Sequence, residues 1–221
     1  VHGRRAVEYA ATAVLMLNNR IPELVTHQRS RRWHQCFNSS IDGKTLLIIG
    51  VGRIGSGIAK WAKSMDMKVV GVRLSGKPRR YVDEMYQPKH IPKLLKRADF
   101  VLVAAPLTGE SHHLIGEKEL KLMKPGAGLV NYSRALVVDY TALARKCTQG
   151  DISAVIDVFD PEPLPRSSPL WSTPNLIITP HCGSDDSNYY AARTLDLVFD
   201  NTYRFLNGKR LQNLISRKTE Y

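Results

Sequence analysis

Short, almost wholly apolar runs recur along this chain and alternate with segments whose apolar residues follow helical spacing. The first is TLLII at 45–49, followed by glycines and an amphipathic stretch over 54–65. Further apolar runs stand at 68–72, 100–104, 127–131, 153–156 and 176–178, with helices predicted at 91–96, 117–123 and 140–147 among them. Strands that lack polar alternation are covered on both faces, as in a parallel sheet whose crossovers are helices. The pattern predicts an α/β fold: a Rossmann-type doubly wound parallel sheet with helices on both faces. An Ala-, Leu- and Met-rich helix is predicted at 6–18, closed by Asn18, Asn19 and the Pro22 that follows, before a polar, basic stretch at 26–40. A long amphipathic helix at about 188–206, stopped by Asn207 and Gly208, ends the pattern.

Length adds little at first, because 221 residues fall between one domain and two at about 150 residues each. No apolar run approaches the roughly 18 residues needed to cross a bilayer, so no membrane span is expected. The chain opens on Val1, and His2, Gly3, Arg4 and Arg5 bring no apolar leader, so it reads as starting within a longer protein. Cys36, Cys147 and Cys182 are odd in number and lack metal-type spacing; neither a disulfide framework nor a metal site is expected, and a reducing, cytoplasmic setting fits. The charge is less ordinary, since 32 Lys and Arg against 20 Asp and Glu leave +12. Its clusters are Arg29/Arg31/Arg32, Lys77/Arg79/Arg80, Lys93/Lys96/Arg97 and Arg217/Lys218, with neither interleaved aromatics nor a helical stripe. A nucleic-acid partner is therefore not favoured.

GVGRIG at 50–55 lies between the first apolar strand and its helix. In that setting Gly50 permits the tight turn, Gly52 lets a pyrophosphate approach the backbone, and Gly55 lets helix meet strand, while Arg53 and Ile54 open the helix. The free N–H groups of a helix start attract the anion. An NAD site calls for an acid at the end of the next strand; Arg73 stands there, with Ser75, Lys77, Arg79 and Arg80 close behind. A guanidinium pairs with a 2′-phosphate, so NADP is favoured with NAD as the alternative; a merely solvated Arg73 is the other reading.

Polar groups follow three later strands: Arg134 after 127–130, Asp157 and Glu162 after 153–156, and His181 after 176–178. All are predicted at the carboxyl edge of the sheet, beside the glycine turn. A histidine suits proton transfer to a carbonyl oxygen, a neighbouring carboxylate orients it, and an arginine grips a substrate carboxylate. His112 and His113 sit in a polar loop and are read as solvated.

AVEYA at 6–10, the glycine turn at 50–55, PLT at 106–108, MKPG at 123–126, NYSR at 131–134, DVFDPEP at 157–163 and TPHCG at 179–183 are together similar to the D-isomer-specific 2-hydroxyacid dehydrogenase family. The resemblance implies Arg134, Glu162 and His181 as a catalytic trio and Asp157 against the nicotinamide carboxamide. It also implies Pro106 to Thr108 lining the cofactor cleft, with Ser133 among the cofactor contacts. Ala135 stands where the family usually has Gly. Cys182 replaces an aliphatic residue and is read as a buried, neutral thiol. Glu162 argues against the formate-oxidising branch, which carries Gln there.

The implied protein is an NAD(P)-dependent D-2-hydroxyacid dehydrogenase or 2-keto acid reductase, of glyoxylate or hydroxypyruvate type. The alternative is a cofactor-sensing, co-repressor-like binding module without significant turnover. Residues 1–40 read as an interdomain helix and connecting segment, 41–183 as the NAD(P)-binding domain, and 184–221 as a helix returning towards a substrate lobe that is not present. About a hundred residues of that lobe would lie upstream. The chain alone is expected to bind cofactor and turn over poorly. Trp33 and the leading helix suggest a homodimer contact, with local packing of Trp33 as the other reading. Trp171 either borders the substrate pocket or plugs its own loop.

Overall fold

The structure, a computed structural model, describes residues 3–184 and 186–214. Val1, Arg217 and Lys218 lie outside the described residues. Two helices lead the chain, α1 (Gly3–Asn18) and α2 (Ile21–Arg29). Then come β1 (Thr45–Ile49), α3 (Arg53–Ser64), β2 (Lys68–Val72), β3 (Glu84–Tyr86), α4 (Ile91–Leu95), β4 (Phe100–Val103) and α5 (Glu117–Leu120). The remainder is β5 (Gly128–Asn131), α6 (Tyr140–Thr148), β6 (Ser153–Ile156), β7 (Leu176–Ile178) and α7 (Tyr190–Leu206). The strands form one sheet in the order β3-β2-β1-β4-β5-β6-β7, every pairing parallel. The doubly wound order and the helices on both faces are as the apolar pattern predicts.

Alternation along each strand divides the core. Leu47, Ile49, Val70, Val101 and Val103 face Leu94, Leu95, Leu120, Leu143 and Cys147 from α4, α5 and α6. Leu46, Ile48, Val69 and Leu102 face the other way, towards Ile58, Ala59 and Ala62 of α3 and Ala6, Ala10 and Val14 of α1. Each large aliphatic side chain buried this way contributes roughly 1.5–3 kcal/mol. The small residues of α1 let it lie close against α3 and β5, so the leading helix belongs to the core.

Two elements differ from the sequence expectation. Pro22, read as a stop, occupies the first turn of α2, where its missing N–H costs nothing. The edge strand β3 is only three half-buried residues, too short and too polar to register as an apolar run. Its pairing places the Arg73 N–H on the Tyr86 carbonyl at 3.0 Å. Glu84 of β3 is gripped by Arg97 (2.6 Å) and by the Tyr86 hydroxyl (2.6 Å), which hold its carboxyl down at about 2. A depressed carboxyl stabilises above its unfolded value and loses that contribution as pH falls through the folded one. Glu84→Gln should therefore flatten the acid limb of the unfolding profile between about pH 4.5 and 2, modestly because the pair is solvent-screened, as urea melts across that range would read.

No described helix is long and apolar enough to cross a membrane. In α7 no residue is buried, and Leu195, Val198, Phe199 and Tyr203 face solvent.

Candidate functional site

Crossovers that leave neighbouring parallel strands towards opposite faces open a crevice beyond the strands' carboxyl ends. Here β1 and β4 are such a pair, since α3 covers one face and α5 the other. The crevice is a cleft of about 550 Å³ lined by residues 49–52, 72–74, 104–106 and 108–111 with Pro88 and Leu114. Gly50, Gly52, Arg73, Pro106 and Thr108 are all in its wall. Arg53, Ile54 and Gly55 form the first turn of α3 behind it. Ser75 is exposed and outside the wall, accepting the Lys77 N–H at 3.3 Å. The 106–111 loop is closed by Ser111, whose hydroxyl donates to the Pro106 carbonyl and accepts the Thr108 N–H, each at 2.7 Å.

The cleft fits a dinucleotide on three grounds. A side chain built on Gly52 would meet nothing within 4 Å, so the chain's own packing does not demand glycine there. The α3 N-terminus has no side-chain cap, leaving its first N–H groups for an anion. Among the described residues the Arg73, Lys77 and Arg79 side chains have no carboxylate partner, whereas Lys63 and Arg97 nearby are paired.

The polar groups after β5, β6 and β7 lie at the same edge of the sheet. Buried Asn131 ends β5 and holds its loop: its carbonyl oxygen accepts the Ser133 N–H (3.1 Å) and hydroxyl (3.0 Å). Its amide donates to the Arg134 carbonyl (3.1 Å) and to the Tyr140 hydroxyl (2.9 Å). Ser133 is thus engaged in the loop, and the exposed Arg134 guanidinium donates to the Ser133 carbonyl at 2.7 Å. Arg134 itself is extended, and Ala135 is buried in a single turn of tighter helix.

His181 and Glu162 meet: Nδ1 lies 2.7 Å from Oε2. The other carboxylate oxygen accepts the Phe159 N–H at 2.8 Å. Desolvation opposes ionisation of Glu162, but the bonds from His181 and Phe159, with the positive charges of His181 and Arg134, hold its carboxyl below the usual range. With Nδ1 occupied, Nε2 of the half-exposed imidazole is the ring atom left to exchange a proton with a ligand.

Asp157 is nearly inaccessible, and its carboxylate is engaged by its own chain. One oxygen accepts the Thr179 hydroxyl (2.6 Å) and the Cys182 N–H (3.0 Å); the other accepts the Gly183 N–H (2.8 Å). Cys182 is exposed rather than buried, because its strand has already ended and the loop turns outward. Burial of part of the thiol and the Asp157 charge raise its titration range, which keeps it protonated. Trp171 is half exposed, with its indole N–H on the Pro165 carbonyl at 2.9 Å.

One cluster escaped the cysteine-based reading. Glu23, His27 and His34 bring ligand-type atoms within 4.8 Å of one another. The helical spacing of Glu23 and His27 is the only sequence signal for it. It sits where Thr26 accepts the N–H of Asn175, at the amino end of β7 and so across the sheet from the cleft. Arg20 pairs with Glu23, and the charge of Arg32 acts on His27. A wider groove of about 920 Å³ runs between α6 and the proline-rich 160–174 loop, but neither His181 nor Arg134 lines it.

Residues 11–183 match the family model described as D-isomer specific 2-hydroxyacid dehydrogenase, NAD binding domain. The chain is 37% identical to a glyoxylate reductase of Thermococcus gammatolerans over 96% of its own length and 66% of the relative's, just under two thirds. A crystal structure of a D-isomer specific 2-hydroxyacid dehydrogenase family protein from Aeromonas salmonicida is similar with a TM-score of 0.85, at 36% identity, over 98% of this chain and 69% of that one. A D-isomer specific 2-hydroxyacid dehydrogenase from Xanthobacter autotrophicus, solved in complex with NADPH and MES, is similar with a TM-score of 0.89 and 28% identity, over 100% of this chain and 90% of that one.

Proposed function

The chain belongs to the D-isomer specific 2-hydroxyacid dehydrogenase family, and from that premise we propose that it is the cofactor-binding and proton-donating part of an NADPH-preferring reductase of small 2-keto acids, of the glyoxylate or hydroxypyruvate type. The observation that carries the reading is the Glu162–His181 pair, with Arg134 in electrostatic reach, at the same sheet edge as an open glycine cleft. When bound, a reduced nicotinamide supplies a hydride to the carbonyl carbon. His181 gives the Nε2 proton to the carbonyl oxygen, yielding the 2-hydroxy acid, and regains a proton from solvent. Glu162 fixes the ring through Nδ1. Arg134 pairs with the substrate carboxylate and polarises the carbonyl. Gly50, Gly52 and the start of α3 (Arg53, Ile54, Gly55) hold the pyrophosphate, with Pro106 and Thr108 along the cleft. Arg73 takes the 2′-phosphate, and Ser75 stands next to it on the exposed turn.

The chain spans just under two thirds of the Thermococcus relative's length. We therefore place the rest of the substrate pocket in a further lobe, with the apolar face of α7 returning towards it. Exposed Trp33 and Phe37 are assigned to a contact with a second copy. Three unpaired cysteines suit a cytoplasmic location.

Titrating the 221-residue chain by reduced-nicotinamide fluorescence should show NADPH bound at least about tenfold more tightly than NADH, a difference of about 1.4 kcal/mol. Gly52→Ala should weaken both by a similar factor while leaving the urea midpoint unchanged, because the added methyl points into empty space. A clear NADH preference would sink the 2′-phosphate assignment. NADPH binding without turnover of any 2-keto acid, in the protein as its gene encodes it, would favour a cofactor-sensing binding module.

A further inference from the structure

Resting on the reading of His181 as proton donor, we propose that Tyr9 of α1 is a positioning residue for it: the Tyr9 phenol and ring together hold the turn that presents the imidazole. His181 sits in the left-handed backbone region at φ +50°, uncommon for a residue with a side chain and costly by about 1–2 kcal/mol unless its surroundings enforce it. Its own N–H closes a tight turn on the Thr179 carbonyl at 3.0 Å, and nothing in that single bond fixes where the turn stands.

Two flanking anchors do. On one side the Thr179 hydroxyl lies 2.6 Å from Asp157 and 2.6 Å from the Tyr9 hydroxyl. An ionised carboxylate only accepts, so Thr179 spends its one proton on Asp157 and must accept from Tyr9. The order Tyr9 to Thr179 to Asp157 is therefore fixed, and each bond polarises the next. Burial keeps the Tyr9 hydroxyl protonated and able to donate, far above the usual phenol range. On the other side, Asp157 accepts the N–H groups of Cys182 and Gly183. A side chain on Gly183 would come within 2.8 Å of the Tyr9 ring, so that ring is packed directly on the Gly183 backbone. Tyr9 thus touches both ends of the segment whose middle is His181, although 170 residues separate it from Thr179. Losing the phenol leaves the Thr179 hydroxyl held by Asp157 alone, relaxes the left-handed turn and lengthens the Nδ1–Glu162 bond.

The Nδ1–H of His181 on Glu162 should give a downfield imidazole proton resonance in the 15N-labelled chain, assigned by its loss in His181→Gln. The expected result is that Tyr9→Phe and Thr179→Val lower its intensity at least threefold, that Thr179→Ser retains it, and that NADPH affinity stays within twofold throughout. A merely structural role would lower the melting temperature and leave the resonance intact. Full intensity in both Tyr9→Phe and Thr179→Val, or absence of the resonance from the unsubstituted chain, overturns the assignment. Turnover is scored separately in the protein as its gene encodes it, where Tyr9→Phe should lower kcat about tenfold at unchanged cofactor KM. The expected resonance pattern without any turnover removes the reductase reading and leaves the positioning role standing.

Discussion

Gly50→Ala is expected to destabilise the fold by about 3 kcal/mol and to abolish measurable cofactor binding. Gly50 has φ +103°, a region that residues with a β-carbon rarely enter, and it joins β1 to the turn before α3. The added carbon would lie 2.5 Å from the Ala105 nitrogen and 2.6–2.7 Å from the carbonyl of Ala104. These are backbone atoms of the segment leaving β4, and they cannot swing aside as a side chain would. Relief requires β1 and β4 to part at the point where the cleft forms, or the Gly50 N–H to leave the Val72 carbonyl at 2.9 Å. Either movement displaces Gly52 and the start of α3. A lowered urea midpoint at unchanged m-value, with NADPH titration gone, is the expected result. A wild-type midpoint would show that the strands tolerate the methyl and that this close approach does not constrain the turn. The contrast with Gly52→Ala is diagnostic, since one glycine is demanded by the chain itself and the other only by a ligand.

That contrast bears on what sequence alone could reveal. The glycine pattern marked both positions and gave Gly50 the turn and Gly52 the ligand, but spacing does not show that the Gly50 turn is pressed on the backbone of Ala104 and Ala105. The apolar runs at 45–49, 68–72, 153–156 and 176–178 became strands with those bounds, because a strand buried on both faces leaves an uninterrupted run. Short β3 left no such trace, and Pro22 has the same letter whether it stops one helix or starts the next. Among the polar groups, the encounter of Glu162 with His181 followed from parallel strands ending at a common edge. The engagement of Asp157 with Thr179, Cys182 and Gly183 did not follow, since a buried carboxylate and a ligand-facing one are alike in sequence. Nor did Tyr9, whose contact with the His181 turn exists only once α1 is docked against the sheet.

His181→Gln, made in the protein as its gene encodes it, should lower kcat for glyoxylate or hydroxypyruvate by roughly 10²–10⁴, the usual worth of a positioned proton donor. Glutamine fills similar space and still donates a hydrogen bond, but it cannot surrender a proton at neutral pH. NADPH affinity should stay within about twofold, because the cleft wall at 49–52, 72–74, 104–106 and 108–111 does not include His181. Glu162→Gln should be milder, since the ring keeps its transferable proton and loses only its charged partner. The pH dependence separates the two. Glu162 titrates below the ordinary carboxylate range, so its help to the imidazole is present at neutral pH and is lost only as pH falls through that depressed value. With about a third of its side chain exposed, the pair adds little to global stability, and the effect belongs to ring orientation. Wild-type kcat should therefore carry an acid limb, below the ordinary carboxylate range, that Glu162→Gln lacks, while both variants melt within a few degrees of wild type. Retention of more than about a tenth of wild-type kcat by His181→Gln would mean that another group, or solvent, supplies the proton.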